Sequence, residues 1–166
     1  MVWVFFDASA LVKRYSPEKG TELLNELFHR FPVTQMTCAT IGLLEIVSVL
    51  VRKRNDGRLS QKLFSQAMIE VNKEVIEDEA FTITSIDDEL MLSSLKLIPQ
   101  HTINATDSII LRACLDLQKI LHSRGDHLVL WSCDKRLLRA AQQENIDVFD
   151  PEVESTARLQ TLLTDS

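Results

Sequence analysis

The chain has 166 residues, of which 45% are hydrophobic and 25% charged, so it is long enough for one well-packed domain and too short for two comfortable ones. Its formal net charge of −6 argues against a surface that binds nucleic acid everywhere, although a local groove is compatible with it. No segment approaches the roughly eighteen apolar residues of a membrane span, and no basic residue precedes the short apolar start as in a secretory signal. The three cysteines, Cys38, Cys114 and Cys133, are widely spaced in apolar surroundings, which favours small core residues in a reducing cytoplasm.

The chain opens with a short apolar run that stops at a carboxylate. Residues 2–6 are rich in β-branched and aromatic types, which predicts a strand buried on both faces, as in a parallel sheet. Asp7 follows at once, at the edge of the sheet where open α/β folds place their chemistry. Ser9 is the predicted cap of a short helix, and Ser16 with Pro17 is the predicted start of a second helix.

Short apolar strands alternate with helices along the rest of the chain. This alternation predicts an α/β fold, a three-layer sandwich whose mostly parallel central sheet of four to five strands is flanked by helices. We expect a single domain over residues 1–166, with a core of about 1–151 and a variable tail over 152–166. The remaining predicted elements are, in order, a strand over 33–37, helices over 41–55 and from residue 60, a strand over 81–84, helices over 87–97 and 105–121, a strand over 128–132, a helix over 135–144, a strand over 146–149 and a tail helix to about 163.

Four carboxylates occupy positions that solvent exposure does not explain. Asp7 and Asp134 follow the ends of buried strands, whereas Glu45 and Asp107 lie on apolar helix faces. We expect the helix that carries Glu45 to be buried nearly all round, where an ionised glutamate is costly unless Arg52 or a bound cation compensates its charge. For Asp107 the alternative to a cation is the favourable interaction of an acid with a helix N-terminus.

A shared divalent cation would explain all four carboxylates at once. Without a cation they would repel one another and their pKa values would rise. Magnesium and manganese prefer carboxylate oxygens and water as ligands, and no histidine lies at the spacing of a zinc site. Such a cluster suits the hydrolysis of phosphodiester bonds, because a bound ion activates water and stabilises charge on the leaving oxygen. The basic residues near the cluster are either solvated helix ends or contacts to a substrate backbone, and they are Lys13, Arg14, Arg52, Lys135 and Arg136.

Four short motifs of the chain resemble those of a known family. They stand in the family's order at residues 5–13 (FFDASALVK), 43–47 (LLEIV), 104–113 (NATDSIILRA) and 131–138 (WSCDKRLL). Over nearly its whole length the sequence resembles the PIN-domain ribonucleases, and it is most similar to the VapC toxins of bacterial toxin–antitoxin pairs. The resemblance implies a Mg²⁺- or Mn²⁺-dependent endoribonuclease that forms a homodimer and is held inactive by a cognate antitoxin. By the same resemblance the catalytic metal ligands are Asp7, Glu45, Asp107 and Asp134, supported by the hydroxyls of Ser9 and Ser132.

Two other functions stay open at this point. A strand followed by Asp-x-Ser is also similar to the phosphoaspartyl phosphatases of the haloacid dehalogenase type, in which the first aspartate is a nucleophile. Those enzymes usually carry a second aspartate two residues further on, where this chain has Ser9. Alternatively, the fold serves as an interaction module whose metal site has no catalytic use. Cleavage of RNA, release of phosphate from small phosphomonoesters, or the absence of both separates the three functions.

Overall fold

The computed structural model describes residues 1–164, and its strands form one parallel sheet. The strands are β1 (Val2–Phe6), β2 (Met36–Ala39), β3 (Thr82–Thr84), β4 (His127–Trp131) and β5 (Asp147–Phe149). Within the described residues these five strands lie in the order β3-β2-β1-β4-β5, and every neighbouring pair is parallel. The last two residues of the predicted tail, Asp165 and Ser166, lie outside the described residues.

Helices cover both faces of the sheet. They are α1 (Ala8–Leu11), α2 (Thr21–Arg30), α3 (Thr40–Asn55), α4 (Gln61–Val71), α5 (Asp88–Ser94), α6 (Leu97–His101), α7 (Ala105–His122), α8 (Lys135–Gln143) and α9 (Thr156–Thr164). Because successive side chains of a strand point to opposite faces, Val4 and Phe6 belong to one hydrophobic cluster and Phe5 belongs to another. The predicted three-layer α/β class is thereby confirmed.

The first strand is the centre of the fold. Val4, Phe5 and Phe6 are fully buried, and β1 lies between β2 and β4. In a fully covered parallel sheet a central strand has no face for water, which is why this strand is apolar throughout. Asp7 is therefore the first polar side chain that the chain presents at the carboxyl edge of the sheet.

Two predicted helix starts are wrong. The cap of α1 is Asp7 and not Ser9, since the Asp7 carboxylate accepts a hydrogen bond from the Ser9 amide. The helix predicted from Ser16 begins at Thr21, after Gly20 with φ +94°. A β-carbon on Gly20 would lie 2.7 Å from the carbonyl oxygen of Pro151, so close packing against the chain's end requires glycine there. Capping signals depend on neighbouring residues only, so they could not predict a helix start that depends on this long-range contact.

The second predicted strand is shifted, because a 3₁₀ turn occupies Val33–Gln35 and β2 begins only at Met36. The helix α3 is also less buried than expected. Leu44 is 66% exposed and Ser48 is exposed, while Ile46 and Leu50 are fully buried. One side of α3 therefore packs on the core and the other borders solvent.

The tail contributes to the core. Leu159 and Leu162 of α9 are buried in the same cluster as Leu24 and Leu27 of α2. The division into a core and a variable tail remains a prediction. No helix in residues 1–164 has the length and apolar character needed to span a bilayer.

Candidate active site

The four carboxylates singled out in the sequence line one cleft at the carboxyl edge of the sheet. β1 and β4 are paired in parallel with Phe6 opposite Trp131, so the residues that follow both strands emerge side by side. Two further carboxylates enter from the early turns of α3 and α7. The cleft has a volume of about 840 Å³, and its acidic lining residues are Asp7, Glu45, Asp107 and Asp134.

Asp7 is held by hydroxyl groups. Its side chain is only 6% exposed. Its Oδ2 accepts hydrogen bonds from the Ser9 amide at 3.2 Å, from the Ser132 hydroxyl at 2.9 Å and from the Ser9 hydroxyl. Within the described part of the chain no hydrogen bond is made to Oδ1, so this oxygen keeps its capacity to bind a cation.

The two serines also attach the end of β4 to Asp7. The Ser132 hydroxyl accepts a hydrogen bond from the Asp134 amide at 3.0 Å, and the Ser9 hydroxyl accepts one from the Cys133 amide at 2.9 Å. Ser132 is fully buried. The chain therefore orients two of its cleft carboxylates through one connected set of hydrogen bonds, in which Ser9 and Ser132 are both donor and acceptor.

Asp134 caps a helix as well as lining the cleft. It is the N-cap of α8, and its Oδ1 accepts hydrogen bonds from the amides of Arg136 at 2.8 Å and Leu137 at 3.3 Å. An aspartate in this position satisfies the free amides of the first turn. The capping bonds occupy one oxygen of the carboxylate, and the residue still lines the cleft.

Asp107 carries an unsatisfied buried oxygen. The residue is 8% exposed, and its Oδ2 has no hydrogen-bond partner among the described residues. Burial, together with the charges of Asp134 and Asp7, raises the pKa of the Asp107 carboxyl to about 6. A buried acceptor without a donor is costly, and a bound cation would remove that cost.

Glu45, which lines the cleft from α3, also has a raised pKa. It is half-buried on the cleft side of α3. Burial and the charges of Asp7 and Asp107 raise the pKa of Glu45 to about 7, and Arg52 offsets part of this effect. The predicted compensation by Arg52 is therefore real but incomplete.

The chemistry of the cleft fits a hard divalent cation. Its candidate ligands are carboxylate oxygens, one of them buried without a partner, and two of the acids have raised pKa values. In the described part of the chain no three of the four carboxylates bring oxygens within 4.8 Å of one another. Mutual repulsion between uncompensated carboxylates favours such spacing, so we expect a bound cation to draw the side chains closer.

A second cluster of ligand-type groups lies beside the cleft. Among residues 1–164, Cys133, Asp150 and Glu152 bring one ligand atom each within 4.8 Å of the others. Lys13 donates to Glu152 at 2.6 Å, and Lys135 pairs with Asp150. Burial raises the pKa of the Cys133 thiol to about 12. Both carboxylates are thus neutralised by lysines, and the thiol stays protonated.

Two of the basic residues predicted to contact a substrate backbone, Lys13 and Arg14, are engaged in ion pairs within the fold. Lys13 is 2% exposed and pairs with Glu18 at 2.9 Å and with Glu152 at 2.6 Å. Arg14 pairs with Glu74 at 2.8 Å. Opening these pairs would leave the buried Lys13 ammonium uncompensated, so its packing disfavours a contact with a substrate, and that contact stays a prediction.

Arg52, which lines the cleft, and Arg136, which lies beside Asp134, differ from these residues. Lys135 is engaged by Asp150, but Arg52 is exposed and makes no ion pair within the described residues. The side chain of Arg136 is 59% exposed and lies 3.9 Å from Asp134. Of the five basic residues predicted, Arg52 and Arg136 are therefore the ones placed to meet an anion.

Asn104 also lines the cleft and was not among the predicted site residues. Asn104 caps α7, and its Oδ1 accepts a hydrogen bond from the Asp107 amide at 2.8 Å. An asparagine three residues before an acid, at the start of an apolar helix, is a recognisable capping signal. Asn104 fixes the turn from which Asp107 projects.

Comparisons with known proteins identify the family and agree with the fold. The sequence matches the family described as the PIN domain over residues 4–143. A comparison with curated proteins gives no match. PAE2754 from Pyrobaculum aerophilum has a similar structure, with a TM-score of 0.59, 17% identity, and 99% of this chain and 97% of that chain covered. FitAcB from Neisseria gonorrhoeae has a TM-score of 0.60 and 16% identity, with 91% of this chain and 99% of that chain covered. A toxin–antitoxin complex from Klebsiella pneumoniae has a TM-score of 0.55 and 18% identity, with 89% of this chain and 97% of that chain covered.

Proposed function

Since the chain belongs to the PIN-domain family, we propose that it is a divalent-metal-dependent endoribonuclease and the toxin of a toxin–antitoxin pair. The observation that carries this proposal is that Asp7, Glu45, Asp107 and Asp134 all line one cleft. These carboxylates come from four different elements, and an acidic cleft of this kind suits a cation that acts on phosphodiester bonds.

The metal in this proposal is Mg²⁺ or Mn²⁺. The oxygens that would hold it are Oδ1 of Asp7, Oδ2 of Asp107 and the carboxylates of Glu45 and Asp134. When bound, such an ion supplies a water of lowered pKa and neutralises charge on the reacting phosphate. Soft or nitrogen ligands are missing from the described lining of the cleft, so zinc is disfavoured.

The chain's own residues prepare the site for this chemistry. Ser9 and Ser132 hold Asp7 in one orientation through three hydrogen bonds to a single oxygen. Such pre-organisation lowers the cost of placing the carboxylate when the substrate arrives. Arg52 at the cleft and Arg136 beside Asp134 carry exposed positive charge, which would attract the phosphates that flank the scissile bond.

The decisive test is cleavage of single-stranded RNA and DNA oligonucleotides with Mg²⁺, Mn²⁺ or a chelator. We expect RNA cleavage by the native chain with either metal, and a loss of at least a hundredfold in Asp7→Asn and Glu45→Gln, as for removal of a metal-site or transition-state ligand. Glu79→Gln is the matched control, since Glu79 is exposed before β3 at the opposite edge of the sheet. Equal activity in all four proteins, or cleavage in chelator, would contradict the proposal.

Partners and location belong to the same proposal. A solved structure of similar fold is a toxin–antitoxin complex, which supports a search for a protein that binds this chain and suppresses cleavage. Self-association as a homodimer is supported by exposed apolar side chains at the end of α5, where Leu92 is 67% exposed and the C-cap residue Leu95 is 58% exposed. A cytoplasmic location is supported by the free thiols of Cys38, Cys114 and Cys133.

Membership of the PIN-domain family gives no support to the phosphatase alternative. Asp7 Oδ2 is saturated with hydrogen bonds, and Ser9 occupies the position of the second aspartate of those enzymes. The non-catalytic alternative predicts metal binding without cleavage. The same RNA assay therefore decides it.

A further inference from the structure

A second cleft continues from the acidic one along α3. It has a volume of about 560 Å³, and we call it the Arg52 groove; its lining residues are Val49, Arg52, Lys53, Asn55, Asp56 and Arg58. Val49 and Arg52 line both clefts, so the two spaces meet at these residues. Helical rise places Arg52 roughly 10 Å along the axis from Glu45, and Arg58 lies beyond the end of the helix. The groove thus leads away from the acids.

The groove carries positive charge that is only weakly committed to partners in the fold. Arg52 is exposed and makes no ion pair with any described residue. Arg58 pairs with Asp56 at 2.6 Å, and the two side chains are 64% and 46% exposed. Such a surface pair contributes little to stability, so a stronger anion can replace Asp56 at small cost. A phosphate is such an anion, because the guanidinium fork matches its oxygens.

Buried contacts hold the groove in shape. Lys53 is 7% exposed, and its ammonium donates to Ser16 at 3.1 Å and to Glu18 at 2.6 Å. The amide of Leu59, which is buried, donates to the carbonyl of Lys53 at 2.9 Å. Between them Gly57 turns the chain with φ +79°. The turn that presents Arg58 is therefore anchored on both sides rather than free to move.

The lining also indicates which part of a nucleic acid it would contact. None of the described lining residues is aromatic, so the groove lacks the aromatic platform on which bases of a single strand usually stack. The guanidinium groups of Arg52 and Arg58 are suited to phosphate oxygens, and contacts to phosphate carry no sequence information. The chain's net charge of −6 makes such a local positive track necessary for a polyanion that must approach four carboxylates.

We propose that the Arg52 groove binds the phosphodiester backbone of single-stranded RNA next to the bond that is cut. Arg52 holds the inner phosphate, and Arg58 leaves Asp56 to hold the outer one. The inference rests on the proposed nuclease function, whose site it extends.

The test measures RNA binding separately from cleavage. A fluorescent single-stranded RNA is titrated with the Asp7→Asn protein in Mg²⁺ over a series of salt concentrations, and the same change is combined with Arg58→Ala, Asp56→Asn or Arg124→Ala. Arg124 is an exposed arginine in the turn before β4, at the opposite edge of the sheet, and its removal changes the net charge equally. Fluorescence anisotropy gives the dissociation constant, and KM and kcat are measured without the Asp7 change.

We expect Arg58→Ala to weaken binding roughly fivefold at low salt and to reduce the slope of log affinity against log salt by about 0.7, the contribution of one phosphate on a single strand. Arg124→Ala should leave both nearly unchanged, and Asp56→Asn should tighten binding. In cleavage, Arg58→Ala should raise KM and leave kcat unchanged.

The groove proposal is overturned if Arg58→Ala behaves as Arg124→Ala or if Asp56→Asn fails to tighten binding. If that happens while the native chain cuts RNA, the nuclease function stands without the groove. If the native chain does not cut RNA but binding depends on Arg58 as expected, the groove stands and the nuclease function fails. Absence of RNA binding by every protein, together with no cleavage by the native chain, refutes both.

Discussion

Replacing Glu45 by glutamine should make the metal-free protein more stable at pH 8 while it removes activity. Burial and the charges of Asp7 and Asp107 raise the pKa of Glu45 from its ordinary 4.5 to about 7. The folded state therefore holds the proton more tightly than the unfolded chain does. Below pH 4.5 both states are protonated and the side chain has no effect on stability. As pH rises from 4.5 to 7 the unfolded chain ionises first, so stability is lost through that window.

The size of the effect follows from the raised pKa. Each pKa unit is worth about 1.4 kcal/mol, which gives roughly 3 kcal/mol as an upper bound for Glu45. Because the side chain is only half-buried, solvent screening reduces this to about 1 to 2 kcal/mol. For a chain of this length a gain of that size raises the melting temperature by about 2 to 8 °C.

Thermal unfolding followed by circular dichroism in chelator at pH 4 and pH 8 measures this gain. Glu45→Gln should melt higher than the native chain at pH 8 and at the same temperature at pH 4, whereas Glu79→Gln should match the native chain at both. A Glu45→Gln protein that is less stable at pH 8, or equally stabilised at both pH values, would refute the electrostatic account of the cleft.

Four further outcomes test the site. Mg²⁺ or Mn²⁺ at 100 times the Kd of the native chain should raise the unfolding free energy of that chain at pH 8 by about 2.7 kcal/mol. At the same metal concentration, calorimetry should show a clearly smaller gain in Asp107→Asn, and equal gains would place the metal elsewhere. Asp134→Asn keeps an effective helix cap, so chemical denaturation should change by less than about 0.5 kcal/mol while RNA cleavage falls; retained cleavage would leave Asp134 with capping alone. Asn104→Ala should cost about 1 kcal/mol of unfolding free energy, with Asn104→Ser close to native, and equal losses in both would remove capping as the cause. Ser132→Ala should cost about 1 to 3 kcal/mol, because the Asp134 amide and Asp7 each lose a buried partner, and an unchanged urea midpoint would show that those bonds contribute nothing.

Local signals in the sequence were reliable where the structure depends on local physics. The apolar run of β1 predicted a buried central strand, because a strand covered on both faces by helices excludes polar side chains. Ser60 was recognisable as the start of α4, whose Leu63 amide it accepts a hydrogen bond from. The helix predicted from residue 87 begins at Asp88, with Asp87 as its N-cap. Failures occurred where distant parts of the chain meet. Gly20 is needed because Pro151 packs on it, and the start of α2 follows from that contact.

The sequence by itself determined the α/β class, the parallel sheet and the four carboxylates, because hydrophobic periodicity and strand ends are properties of short segments. It also marked basic residues, but it could not distinguish Lys13, buried between Glu18 and Glu152, from Arg52, which stays exposed at the cleft. Only the tertiary structure decided this difference, since ion pairs between segments far apart in the chain depend on how the helices pack. The same holds for the unpartnered oxygen of Asp107 and for the groove beyond Arg52, which exist only after folding has brought their walls together.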